Sequence, residues 1–116
     1  LVMAEAARGD LADYMEQFAC DQAQVMHIAY GICSAVAYMH NSCGVAHTDL
    51  KVANVFMDFH GVPKVGDFGQ AMARSISSGF TLRGARGTEG FRAPEVIKSK
   101  LQPAEFDFEG DKCDIW

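Results

Sequence analysis

Apolar residues between positions 22 and 40 recur at three- and four-residue steps: Val25, Ile28, Ala29, Ile32, Ala35, Val36 and Met39. That period sets them on one side of a helix, so the pattern predicts a helix over 22–40 with a single apolar stripe. Asn41-Ser42-Cys43-Gly44 follows, and Gly44 suits the left-handed turn that commonly closes a helix. A shorter helix is expected over 11–18, with Asp10 as its N-cap. Residues 55–58 and 63–66 read as two short strands joined by a turn at 59–62 that uses Gly61. Such a hairpin would bring Asn54 and Asp67 together in space. Residues 70–86 are rich in Ser, Gly and Arg with little periodicity, which predicts a mobile loop. The pattern as a whole is α+β: mostly helical, with a small β hairpin.

Composition narrows this picture. A chain of 116 residues allows one domain over 1–116, and 49% hydrophobic content suffices for a core. A net charge of −5, with Lys and Arg scattered, argues against nucleic acid as the partner. Cys20, Cys33, Cys43 and Cys113 form no C-x-x-C pair, so buried, reduced thiols in an intracellular, cytoplasmic protein are expected. The four histidines lack ligand spacing. His27 and Ser34 interrupt the most apolar run, leaving it short of a membrane span.

The chemistry concentrates in His47-Thr48-Asp49-Leu50-Lys51-Val52-Ala53-Asn54 and Asp67-Phe68-Gly69. Lys51 follows Asp49 by two positions, Asn54 follows it by five, and Asp67 follows Asn54 by thirteen. Phosphoryl transfer needs an acceptor for the attacking hydroxyl's proton, cations against developing charge, and oxygen ligands for Mg²⁺. These residues supply one group for each task. Taken singly, each also has a plainer reading. Asp49 could be a loop aspartate bonded to nearby backbone, Lys51 a solvated lysine, and Asn54 and Asp67 ordinary turn residues.

Here the chain resembles the eukaryotic-type protein kinases, whose pattern runs H-R-D-L-K-x-x-N and then D-F-G. The resemblance continues in family order. Residues 1–11 look like the hinge between kinase lobes, Gly87-Thr88-Glu89-Gly90-Phe91-Arg92-Ala93-Pro94-Glu95 like the end of the activation segment, and Asp114-Ile115-Trp116 like the first turn of the next large-lobe helix. No glycine-rich G-x-G-x-x-G loop and no V-A-I-K lysine is present. The expectation is therefore a kinase large-lobe fragment, the middle third of a kinase domain, with the small lobe absent.

The resemblance implies an ATP- and Mg²⁺-dependent serine/threonine kinase acting on protein hydroxyls. In that reading Asp49 accepts the hydroxyl proton, Lys51 contacts the transferred phosphate, and Asn54 and Asp67 hold Mg²⁺. Ala4 and Ala6 present backbone groups to adenine, Met3 lies at the back of the pocket, Phe56 lies under the ring, and Asp10 meets the ribose hydroxyls. Ordinary core packing is the rival reading for Met3 and Phe56. Lys51 and Thr88 match the serine/threonine branch, in which Thr88 bonds the catalytic aspartate and lysine. The alternative is a pseudokinase-type binding or scaffold module, or an inactive remnant.

Three departures from the family stand out. Thr48 replaces an arginine that normally binds an activation-loop phosphate, so phosphorylation of Ser75, Ser77, Ser78 or Thr81 should be dispensable. Phe91 stands where tyrosine is common. Glu95 and Asp114 are nineteen positions apart, more than is usual. The extra residues, within 98–111, carry Glu105, Asp107, Glu109 and Asp111 and are expected to form a solvated acidic loop.

Overall fold

The computed structural model describes residues 6–82, 86–101 and 107–116. The expectations for Met3, Ala4 and the rest of 1–5 lie outside the described residues, as does that for Glu105. The chain clusters into two compact units, one from Leu1–Ala35 with Lys51–Asp67, the other from Val36–Leu50 with Phe68–Trp116.

The first unit is built on two helices and a hairpin. Helix α1 spans Leu11–Gln17, and Asp10 caps it as expected, its Oδ1 accepting the Asp13 N–H at 2.9 Å. Helix α2 spans Gln22–Tyr38. Strands β2 (Val55–Met57) and β3 (Pro63–Val65) pair antiparallel, with Val55 opposite Val65 and Met57 opposite Pro63. The turn between them is held by Asp58, whose carboxylate accepts the His60 and Val62 N–H groups, both at 2.9 Å. The Val62 bond is the main reason that the Asp58 carboxyl titrates below its ordinary range. Gly61 takes φ +76°, as the turn requires.

Period-two alternation turns Val55 and Met57 inward onto Leu11, Tyr14 and Ile28. Arg8 and Gly9 run beside β2, exchanging backbone bonds with Met57 at 3.2 and 2.9 Å. The expected apolar stripe of α2 is only partly buried. Ile28, Val36 and Met39 are inside, the last just beyond the α-helix, while Val25 and Ala29 are exposed. Among the described residues, burial along α2 and the turn after it follows a line narrower than the hydrophobic pattern.

In the second unit α2 runs on into a π-helical turn, Met39–Cys43, closed by Gly44 at φ 62°. Strand β1 (Val45–Ala46) pairs antiparallel with β4 (Met72–Ala73), and β5 (Thr81–Leu82) with β6 (Phe108–Glu109). Helix α3 spans Pro94–Leu101, with proline at its first position, where no N–H is needed. Helix α4 spans Gly110–Ile115. Ala93, Val96 and Phe108 form the core, with Met72 and Cys113 against it.

Three expectations are corrected here. The cysteines are not buried: Cys33 and Cys43 are exposed and Cys20 and Cys113 only partly covered, because burial depends on what lies opposite each thiol and not on residue type. Residues 70–86 are not an unstructured loop throughout, because β4, β5 and a bridge between Ser75 and Gly79 lie within them. Nor is 98–111 a solvated loop throughout: α3 reaches Leu101, β6 pairs with β5, and Phe108 is 4% exposed. Both segments form ladders with partners remote in sequence, which local periodicity cannot register.

Candidate active site

Strand β1 delivers His47-Thr48-Asp49 into the interior of the second unit. His47 is fully buried and Asp49 is 7% exposed. The Asp114 carboxylate, almost without solvent contact, anchors this segment. Its Oδ2 accepts the His47 N–H at 2.7 Å and lies 2.8 Å from His40 Nε2; its Oδ1 accepts the Thr48 N–H at 2.7 Å. Charge-assisted bonds of this length are among the stronger ones a backbone makes. They hold Thr48 at φ 64°, an unusual conformation for a β-branched residue, worth about 1–2 kcal/mol of strain. The Thr48 hydroxyl donates to the Gln70 carbonyl at 2.7 Å.

Asp49 is in turn oriented by Thr88. The Thr88 N–H and hydroxyl both donate to Asp49 Oδ1, at 2.6 and 2.7 Å. Gly87, just before Thr88, is gripped on both sides. Its N–H donates to Gln70 Oε1 at 2.8 Å, and its carbonyl accepts Arg92 Nη2 at 2.7 Å and Nε at 3.0 Å. Gly87 has φ 75°, and a Cβ there would come within 2.9 Å of the Thr48 carbonyl oxygen. Glycine is therefore required by backbone conformation and by close approach together. A small open cleft is lined by Asp49, Leu50, Thr88, Phe91 and Val96, among others. Exposed Phe91 lines the same cleft as the buried carboxylate of Asp49.

The remaining described site residues lie in the first unit. Val52–Asn54 forms a 3₁₀ turn, in which the Asn54 N–H donates to the Lys51 carbonyl at 2.9 Å. Asn54 is 4% exposed, and its carbonyl accepts the Gly66 N–H at 2.9 Å. That bond closes the open end of the hairpin, so Asn54 and Asp67 are brought to the same end, as their spacing implied. Asp67 adopts φ 56°, a left-handed conformation that aspartate tolerates better than most residues. Asn54 and Asp67 carry the hard oxygen donors that suit Mg²⁺.

Asp10 and Phe56 meet through a backbone bridge. The Phe56 ring packs so closely on Gly66 that a Cβ there would lie 2.8 Å from it. Asp10 spends Oδ1 on its capping bond, and a carboxylate retains acceptor capacity beyond that. The Ala6 carbonyl accepts the Gly9 N–H at 3.1 Å.

Four residues of the hydrogen-bond framework have no role in the sequence reading: His40, Gln70, Arg92 and Asp114. Asp114 belongs to a recognised tripeptide, but nothing local tells which distant backbone it serves. Gln70 follows Gly69 with no local signal at all. One near neighbour bears on thiol chemistry. Burial first, then Glu95, pushes the Cys113 thiol up to about 12.

The protein kinase domain model matches residues 1–116. Serine/threonine-protein kinase CHK1 of Saccharomyces cerevisiae is 35% identical over 120 aligned positions, covering 100% of this chain and 22% of the relative. Mitogen-activated protein kinase kinase kinase 18 of Arabidopsis thaliana is 34% identical over 118 positions, covering 100% of this chain and 32% of the relative. Testis-specific serine/threonine-protein kinase 5 of Mus musculus is 31% identical over 127 positions, covering 100% and 31%. The chain thus spans between about a fifth and a third of the length of these relatives.

Proposed function

Because the chain belongs to the protein kinase domain family, we propose that it carries the large-lobe transfer residues of a serine/threonine protein kinase, which moves the γ-phosphoryl group of ATP to protein hydroxyls. The observation that carries this reading is the paired donation of Thr88 to one oxygen of the buried Asp49. Two donors on Oδ1 lock the carboxylate's rotamer before substrate arrives, which is the preorganisation that a general base needs. The serine/threonine kinases among its relatives support the substrate class.

Asp49 accepts the proton of an incoming serine or threonine hydroxyl as that oxygen bonds to the γ-phosphorus and the bond to ADP breaks. Lys51 sets a positive charge against the transferred group. Asn54 and Asp67 hold Mg²⁺, which when bound neutralises charge on the nucleotide phosphates. Phe56 offers an apolar face to adenine, backed by Gly66. Asp10 directs a carboxylate oxygen to the ribose hydroxyls. With the Ala6 carbonyl engaged by Gly9, the Ala6 amide is the group that meets the base.

The test uses the full-length protein with γ-labelled ATP, Mg²⁺ and a library of serine, threonine and tyrosine peptides. Label is expected on serine or threonine, and Asp49→Asn should abolish turnover while nucleotide affinity stays within about threefold. A protein that binds ATP yet labels no peptide would instead be a pseudokinase-type binding module.

A further inference from the structure

We infer that Gln70 is a positioning residue of the transfer site: it ties the side-chain hydroxyl of Thr48 to the backbone N–H of Gly87, and so sets Thr88 against Asp49. The hydrogen bonds form a closed circuit. The Gln70 carbonyl receives the Thr48 hydroxyl at 2.7 Å and Arg86 Nη1 at 3.2 Å, which pins the Gln70 backbone. Its side-chain Oε1 then receives the Gly87 N–H at 2.8 Å. Arg92 holds the opposite face of the same residue through the Gly87 carbonyl. The next residue, Thr88, closes the circuit on Asp49, which is bonded in sequence to Thr48.

Circuits of this kind are cooperative, since each bond restricts the donors and acceptors of the next. Breaking the Gln70–Gly87 bond frees the Gly87 peptide to rotate about a left-handed φ that only the circuit selects. Thr88 would then be a donor on a loose tether. Gln70 does not line the cleft, so the effect of its side chain passes through Gly87 to Thr88. The inference rests on the reading of Asp49 as the base.

The acceptor atom is the discriminating feature. Gln70→Met removes it at similar length, Gln70→Asn withdraws it by one methylene, and Gln70→Glu keeps it in place. In the full-length protein, Met and Asn should lower kcat on a serine peptide about tenfold, the scale of one net hydrogen bond, with KM for ATP within twofold. Glu should remain within threefold of wild type. Hydrogen exchange of the Gly87 amide should quicken about tenfold in the Met and Asn variants and stay slow in Glu. Wild-type kcat in both Met and Asn, or an equal fall in all three variants, overturns the inference. A wild-type protein that transfers no phosphate overturns the proposed function instead. Gly87 exchange then decides the positioning role by itself, and exchange unchanged in Met and Asn overturns it.

Discussion

Gly87→Ala isolates the tightest backbone approach at the site. A left-handed φ of 75° costs a residue with a Cβ about 1–2 kcal/mol. The added methyl would also sit 2.9 Å from the Thr48 carbonyl oxygen, a backbone atom held in place by the Asp114 bonds to Thr48 and His47. Overpacking of this kind adds about 1–3 kcal/mol. The strain can be relieved by moving Gly87 away, which carries Thr88 off Asp49, or it can remain and lower stability. A conservative 2 kcal/mol expressed in the transition state is about a thirtyfold loss of kcat. The assay is steady-state peptide phosphorylation beside thermal unfolding of the same full-length protein. Gly79→Ala is the control, because it has φ +61° but nothing within 4 Å of the added methyl. It bears the backbone cost and no steric one. Gly87→Ala indistinguishable from Gly79→Ala in both turnover and melting temperature would refute the argument from close approach.

Three further predictions follow from particular contacts. Thr88→Val removes the hydroxyl donor to Asp49 and keeps the N–H, so kcat should fall about tenfold, while Thr88→Ser should recover most of it; equal activities would contradict the paired-donor argument. Replacing Ser75, Ser77, Ser78 and Thr81 together by alanine should leave turnover within about threefold, because the Thr48 hydroxyl reaches Gln70 without a phosphate; a loss of several orders of magnitude would defeat that reading. Cys113, its thiol pushed up to about 12, should be alkylated by iodoacetamide at pH 8 far more slowly than the exposed Cys33 and Cys43, as read by mass spectrometry. Since its folded pKa is raised, the favourable contribution of the Cys113 thiol to stability is complete below the ordinary value of 9.0 and declines as pH rises towards 12.

Local patterns in the chain were sufficient wherever the physics is local. Asp10 as a cap, Gly44 and Gly61 at left-handed turns, and the β2–β3 hairpin all follow from neighbours within a few residues. The shared position of Asn54 and Asp67 at one hairpin end is of the same kind, because the turn sets the register and the register sets the pairing. Family membership was legible too, since its motifs are short and recur in order.

What tertiary structure alone decided is long-range. Val25 and Ala29 share the period of Ile28, yet burial depends on what lies opposite, and period alone carries no information about that. Strands β4, β5 and β6 exist because distant backbone meets them, in segments whose composition reads as loop. The same holds for the framework around Asp49. Gln70 and Asp114 act on backbone groups 17 and 66 or more positions away, through acceptor oxygens that nothing in the local sequence assigns to those partners. A side chain's chemistry is written in the sequence, but its partner is chosen by the fold, because hydrogen bonds are made between neighbours in space.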